Sequence, residues 1–369
     1  MNKNIKAARL LAFHLPQFHP IPENDQWWGK GFTEWTNVAK SKPQFPGHDQ
    51  PKLPADLGYY DLRVPEVRQR QAQLANEYGI EGFCYWHYWF YGKRLLRRPI
   101  DEILKSGKPD FPFCLAWANE TWSRRWLGEE KEILIKQTYS PQDDLDHAQW
   151  LAEVFADPRY VRVNGRPVFL IYRPGDLPQP KRTTETIRSE CSRRGLPEPY
   201  LLAITAHLQK DWRDLGFDAN VDFEPQLGVV PGALKDGLKV FDYAVARQLM
   251  KTRKRDFPFH PCIFVNWDNT PRRGANGVVF VGSTPELFRA GLEEIVRSVQ
   301  PRPFEERFVF INAWNEWAEG NYLEPDQKTG RAYLEAVRQV ACSEQNPMSE
   351  LNQNGHEKSS QPRREPAFS

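Results

Sequence analysis

The chain has 369 residues, 50 basic against 48 acidic, for a formal charge of +2; this excludes the basic footprint of a nucleic-acid binder and a surface shaped for an acidic partner. No apolar run approaches the roughly 18 residues of a membrane span, and Met1 to His14 lacks the apolar core and cleavage site of a signal peptide. Five scattered cysteines without a CxxC pair fit a reducing compartment, so the expectation is a cytoplasmic protein, at most one working at the inner face of the membrane.

In chain order, Arg9–Phe13 reads as a first strand that leads into a long excursion reaching about Tyr60. Pro65–Tyr78, rich in Gln, Ala, Leu and Glu, reads as a helix. Strands follow at Gly79–Tyr85 and Phe111–Ala116. Pro141–Phe155 is a helix with Asp143 and Asp144 in its first turn, where the dipole favours acids. Then come strand Pro167–Tyr172, helix Thr184–Arg194, and strands Tyr200–Ile204 and Phe217–Val221. Helix Tyr243–Arg253, strand Cys262–Val265, helix Pro285–Ser298, strand Phe308–Ala313 and helix Gly330–Val340 complete the series. The strand runs lack clean alternation, as strands covered on both faces of a parallel sheet do. This predicts an α/β fold, a single (β/α)8 TIM barrel over residues 1–342 with a long loop after strand one. The polar segment 343–369 reads as a disordered tail, too poor in apolar surface to order. A doubly wound sheet would carry a glycine-rich turn after its first strand; Gly29-Lys30-Gly31 is not that turn.

In a barrel, chemistry collects where strands end. Those ends read His14; Trp86-His87-Tyr88; Trp117-Ala118-Asn119-Glu120; Tyr172-Arg173; His207; Asp222-Phe223-Glu224; Asn266-Trp267-Asp268; and Trp314-Asn315-Glu316-Trp317-Ala318-Glu319. The strand starts are ordinary. Indole and phenol rings beside polar groups, Trp35 after Glu34 among them, suit the apolar faces and hydroxyls of sugars. The expected sugar-binding set is therefore His14, Trp35, Trp86, His87, Tyr88, Trp117, Asn119, Glu120, Tyr172, Asn266, Trp267, Asp268, Trp314 and Asn315. Each has a plain structural counterpart: His14 as a core histidine, Trp86 to Trp89 as a packed loop, Asn266 to Asn269 as an Asx-type turn. Arg272-Arg273 reads as a solvated pair, or as a holder of an anionic group. Asp143-Asp144-Leu145-Asp146 contains a DxD, but its place at a helix start points to dipole compensation. No zinc spacing or P-loop is present, and no cofactor is expected.

Glu316 and Glu319 stand apart. Glycosidic cleavage needs two carboxyl groups in different protonation states beside one bond. Neighbouring carboxylates push their pKa values apart, and flanking indoles raise at least one by desolvation. Asn315 would offer amide donors, and Gly320 a sharp turn.

The blocks "FHLPQFHPIPENDQWWGKGFTEWTNV", "VNWDNTPRR" and "NAWNEWAEGNYLEPD" together resemble WbsX-type proteins, which are similar to glycoside hydrolase family 99, the endo-α-mannosidase group of (β/α)8 barrels. The resemblance spans about residues 8–340. It implies a retaining mechanism without an enzyme nucleophile. Glu316 would take the proton of the substrate's 2-hydroxyl, which attacks the anomeric carbon, and Glu319 would act as acid and then base. Trp314 and Ala318 depart from the hydrolases' usual Phe and His. Three functions stay open: cleavage of α-linked glycans, mannosides among them; glycosyl transfer in lipopolysaccharide or O-antigen assembly; and glycan binding without catalysis. The implied partner is an oligo- or polysaccharide, free or lipid-linked.

Overall fold

The computed structural model describes residues 7–124, 129–206, 210–253 and 255–341; His207, Cys342 and the 343–369 tail lie outside them. Eight parallel strands close a barrel: β1 (Arg9–His14), β2 (Gly82–Phe90), β3 (Phe113–Trp117), β4 (Arg166–Ile171), β5 (Tyr200–Ile204), β6 (Ala219–Asp222), β7 (Phe259–Phe264) and β8 (Phe308–Asn312). Closure is direct. β1 pairs with β8 (Leu10↔Val309) on one side and with β2 (Leu11↔Gly82) on the other.

Around the barrel run α1 (Pro65–Glu77), α2 (Arg98–Ser106), α3 (Pro141–Phe155), α4 (Pro180–Arg193), α5 (Tyr243–Lys251), α6 (Pro285–Val299) and α7 (Ala332–Ala341). Their starts are marked chemically. The Ser140, Asp242 and Thr284 side chains accept from Asp143, Val245 and Leu287 backbone N–H groups, satisfying donors that a helix start leaves unpaired. Asp143 also accepts from the Trp89 indole at 2.9 Å, and Asp144 accepts from Thr183 at 3.1 Å. The DxD is a helix start.

The expected barrel is present, with three local differences. β2 runs five residues past Tyr85, so Trp86 to Phe90 belong to a strand and not to a loop. α2 was not expected, because its polar Arg98-Pro99-Ile100-Asp101 opening hides an apolar stripe of Ile100 and Ile103, both buried. Between β5 and β6 a 3-10 turn, Arg213–Leu215, stands where an ordinary unit has a helix. The long excursion after β1 is ordered and carries two short helices, Pro22–Trp28 and Glu34–Lys40. Four cysteines (Cys84, Cys114, Cys191, Cys262) are free and buried. Among the described residues no helix is long and apolar enough to cross a membrane.

Candidate active site at the barrel mouth

Successive residues of a strand point to opposite faces, and in a barrel one face is the interior. Phe13, Trp86, Phe223 and Phe310 turn inward and pack on one another, with Phe13 stacked on Trp86 at 4.9 Å and edge-on to Phe223 at 5.2 Å. Trp86 and Phe223 of this layer line the floor of a cavity of about 570 Å³ at the strands' C-terminal ends, within the size range of small-molecule sites. Tyr88, Glu120, Tyr172, Trp267, Glu316 and Glu319 stand in its wall.

The centre of the wall is an ion cluster. Arg272, on the short helix Thr270–Arg273, meets Glu34 at 2.8 Å, Glu316 at 3.0 Å and Glu319 at 2.5 Å. Glu34 is fully buried and also accepts from Gln17 Nε2 at 3.0 Å. Three carboxyl groups thus face one guanidinium, whose fork suits several carboxylate partners at fixed geometry. Burial and then the charge of Glu319 raise Glu316 to about 8, with Arg272 opposing. Glu319 is raised too, by burial first, again against Arg272.

The backbone around the pair is held from behind. Asn315 donates to Leu15 O at 3.0 Å and to Tyr60 Oη at 3.1 Å, and accepts from Leu15 N at 2.7 Å. The Trp317 indole donates to buried Glu324 at 2.6 Å. Asp268 N donates to Glu319 O at 2.6 Å. Burial would raise the Asp268 carboxyl, but donation by His48, Thr270 and Gln50 holds it below its ordinary value. Gly320 turns the chain at φ 59°, where a Cβ would lie 2.9 Å from that of Asp268. A larger residue does not fit there.

Of the sequence-predicted set, Trp86, Tyr88, Glu120, Tyr172 and Trp267 line the cavity with the two glutamates. The others do not, for stated reasons. His14 and His87 take the outward phase of their strands. His14 meets Gln71 of α1 at 3.3 Å, and His87 meets His147 of α3 at 3.0 Å. Trp117 also faces outward, donating to Trp89 O. Asn119 ties the end of β3 to Arg173, accepting from its N–H at 2.7 Å. Trp35 is buried against Trp317 and bonds Tyr60 O. Trp314 is buried in the core, and Asn315 serves the backbone. Asn266 and Asp268 line a separate cavity of about 210 Å³ behind the Glu319 turn.

Arg272 corrects the solvated-pair reading, since it is the common partner of the glutamates. Glu34 and Gln17 were missed. Their only signal was the long polar-aromatic excursion after β1, whose pairing partners are far off in sequence.

A family model described as Glycosyltransferase WbsX matches residues 10–337. The protein WxcX of Xanthomonas campestris pv. campestris strain B100, itself uncharacterized, is 46% identical over 346 residues, covering 90% of this chain and 49% of that protein. WxcX of strain ATCC 33913 matches equally. The chain therefore spans about half the length of these curated relatives. Among solved structures, the GH99 endo-alpha-mannosidase of Bacteroides thetaiotaomicron superposes with a TM-score of 0.56 at 14% identity, over 89% of this chain and 95% of that one. A glycoside hydrolase-like protein gives 0.57 at 14%, over 92% and 95%. These likenesses are of fold.

Proposed function

The chain belongs to the glycosyltransferase WbsX family, and on that premise we propose that it acts on α-glycosidic bonds, mannosidic ones included, of a surface polysaccharide or O-antigen-type glycan, free or lipid-linked. The observation that carries this reading is the pairing of Glu316 and Glu319 on Arg272 in the cavity wall. Two carboxyls of raised proton affinity, fixed by one guanidinium, match the demand of glycosidic chemistry for one acid and one base.

In the proposed retaining route, Glu316 removes the 2-hydroxyl proton as O2 bonds to the anomeric carbon. The glycosidic C–O bond breaks, and Glu319 gives its proton to the leaving oxygen. Water, or an acceptor hydroxyl in transfer, then loses a proton to Glu319 and attacks the anomeric carbon. The C1–O2 bond opens and Glu316 returns its proton to O2. A second assignment exchanges the two roles. It is favoured by the pKa of Glu316, which at about 8 keeps its proton at neutral pH.

Product analysis on a panel of α-linked oligosaccharides, with and without nucleotide sugars, tests the reading. Hydrolysis products or new linkages support it; binding without turnover on every substrate overturns the enzymatic reading. An activated aryl glycoside separates the assignments, because a good leaving group needs little protonation. Retained first-step rate in Glu319→Gln alone supports Glu319 as acid, and retention in Glu316→Gln alone supports the exchange.

A further inference from the structure

Asn24 stands on the helix Pro22–Trp28, inside the excursion between β1 and α1. Its side chain is 1% exposed and lines the large cavity. Neither its Oδ1 nor its Nδ2 has a hydrogen-bond partner among the described residues. A buried amide left unpaired at both ends is costly, so its partners are expected from whatever fills the cavity. The helix does not depend on Asn24 for its placement. Glu23 pairs with Lys93 beyond β2 at 2.7 Å, Asp25 accepts from Gly31 N at 2.8 Å, and Trp27 packs edge-on to Trp122 at 6.0 Å.

Four residues on, Trp28 shares the helix face of Asn24 and also lines the cavity. The same wall continues through Trp122 to Tyr88, whose rings lie 5.0 Å apart. After burial, the charge of Glu316 is the next influence on the Tyr88 phenol, which puts this wall within reach of the acids.

We infer that Asn24 and Trp28 form a sugar subsite that takes a pyranose ring bearing two adjacent free hydroxyls. Oδ1 accepts from one hydroxyl and Nδ2 donates to the next, beside the Trp28 indole, over which the Arg124 guanidinium lies at 5.5 Å. The inference rests on the glycan reading of the cavity and makes Asn24 a specificity-determining residue.

The test is calorimetric titration of the full chain with methyl α-D-mannopyranoside and its 2-, 3-, 4- and 6-deoxy forms, using wild type, Asn24→Leu and Asn24→Asp. In wild type, two adjacent deoxy positions should each weaken binding by about fivefold, the size of one net hydrogen bond. In Asn24→Leu the parent glycoside should weaken comparably or more, with both deoxy penalties gone and the melting temperature no lower. Asn24→Asp keeps the acceptor and should lose discrimination at one of the two positions, which holds the inference testable if the leucine variant fails to fold. Persistence of both penalties in the variants overturns the subsite and leaves the glycan reading intact. Unchanged affinity with a lower melting temperature means that a buried water alone pairs with the amide, and overturns it too. If wild type binds none of the glycosides, the subsite is overturned, while the glycan reading stands or falls on the oligosaccharide panel.

Discussion

The ends of β6 and β8 carry similar residues, Asp222-Phe223-Glu224 and Glu316-Trp317-Ala318-Glu319, and use them in opposite ways. After β8 the acids face the cavity and the Trp317 indole is buried behind them. After β6 the aromatic ring of Phe223 faces the cavity, and the acids turn away into arginines. Asp222 pairs with Arg253 and Arg255, and Glu224 with Arg247 at 2.6 Å. One guanidinium serves three carboxyls at the first place, while three serve two at the second. Perturbed acidity does not separate them. Burial raises Glu224 to about 7, against Arg247, and Glu324 also to about 7, yet neither lines the cavity. What separates a candidate catalytic acid from a structural one here is access: the turn after β8 carries Glu316 and Glu319 into the cavity wall, while the acids after β6 point into arginines.

The sharpest way to break this contrast is to neutralise each acid in turn. Glu316→Gln and Glu319→Gln should each lower turnover by about 10²–10⁴-fold, the usual worth of general acid–base assistance, with folding and glycan binding retained. Losses below about tenfold in both would reject the pair. Next in size, Asp222→Asn should leave the rate within threefold and lower stability by about 3–5 kcal/mol, because two arginines stay buried against an amide. Denaturant unfolding beside steady-state kinetics measures both, and a large rate loss without destabilisation would merge the two regions.

The smallest effect concerns pH. Glu316 has an ordinary value of 4.5 and about 8 in the fold, so between those values the folded chain holds a proton that the unfolded chain has released. Its contribution is fully present below 4.5 and is lost as pH rises through 8. Glu316→Gln removes that slope. Its stability relative to wild type should therefore improve as pH rises from 5 to 8, by at most about 1.4 kcal/mol for each pH unit of linkage. A constant difference in melting temperature across that range would contradict the buried, protonated carboxyl.

The eight apolar runs, most of the helices between them and the acid pair after β8 were legible because they are local. Each run is a few residues of Val, Ile, Leu and Phe between turn signals, and Glu316 and Glu319 sit in one short segment rich in indole. Strand phase was less legible. Trp86 and His87 are adjacent, yet one ring forms the cavity floor and the other packs on α3. A covered strand is apolar on both faces, so its pattern does not say which residue points inward.

Composition and periodicity by themselves determined that this chain is a (β/α)8 barrel with acids and aromatics at its strand ends, because burying apolar runs between helices needs only short-range pattern. Tertiary structure alone decided that Arg272, Glu34 and Gln17 complete the acid pair. Arg272 lies 238 residues from Glu34 and 44 from Glu316. Only closing the barrel brings those charges within bonding distance and out of water, where a guanidinium can bias the protonation of both glutamates.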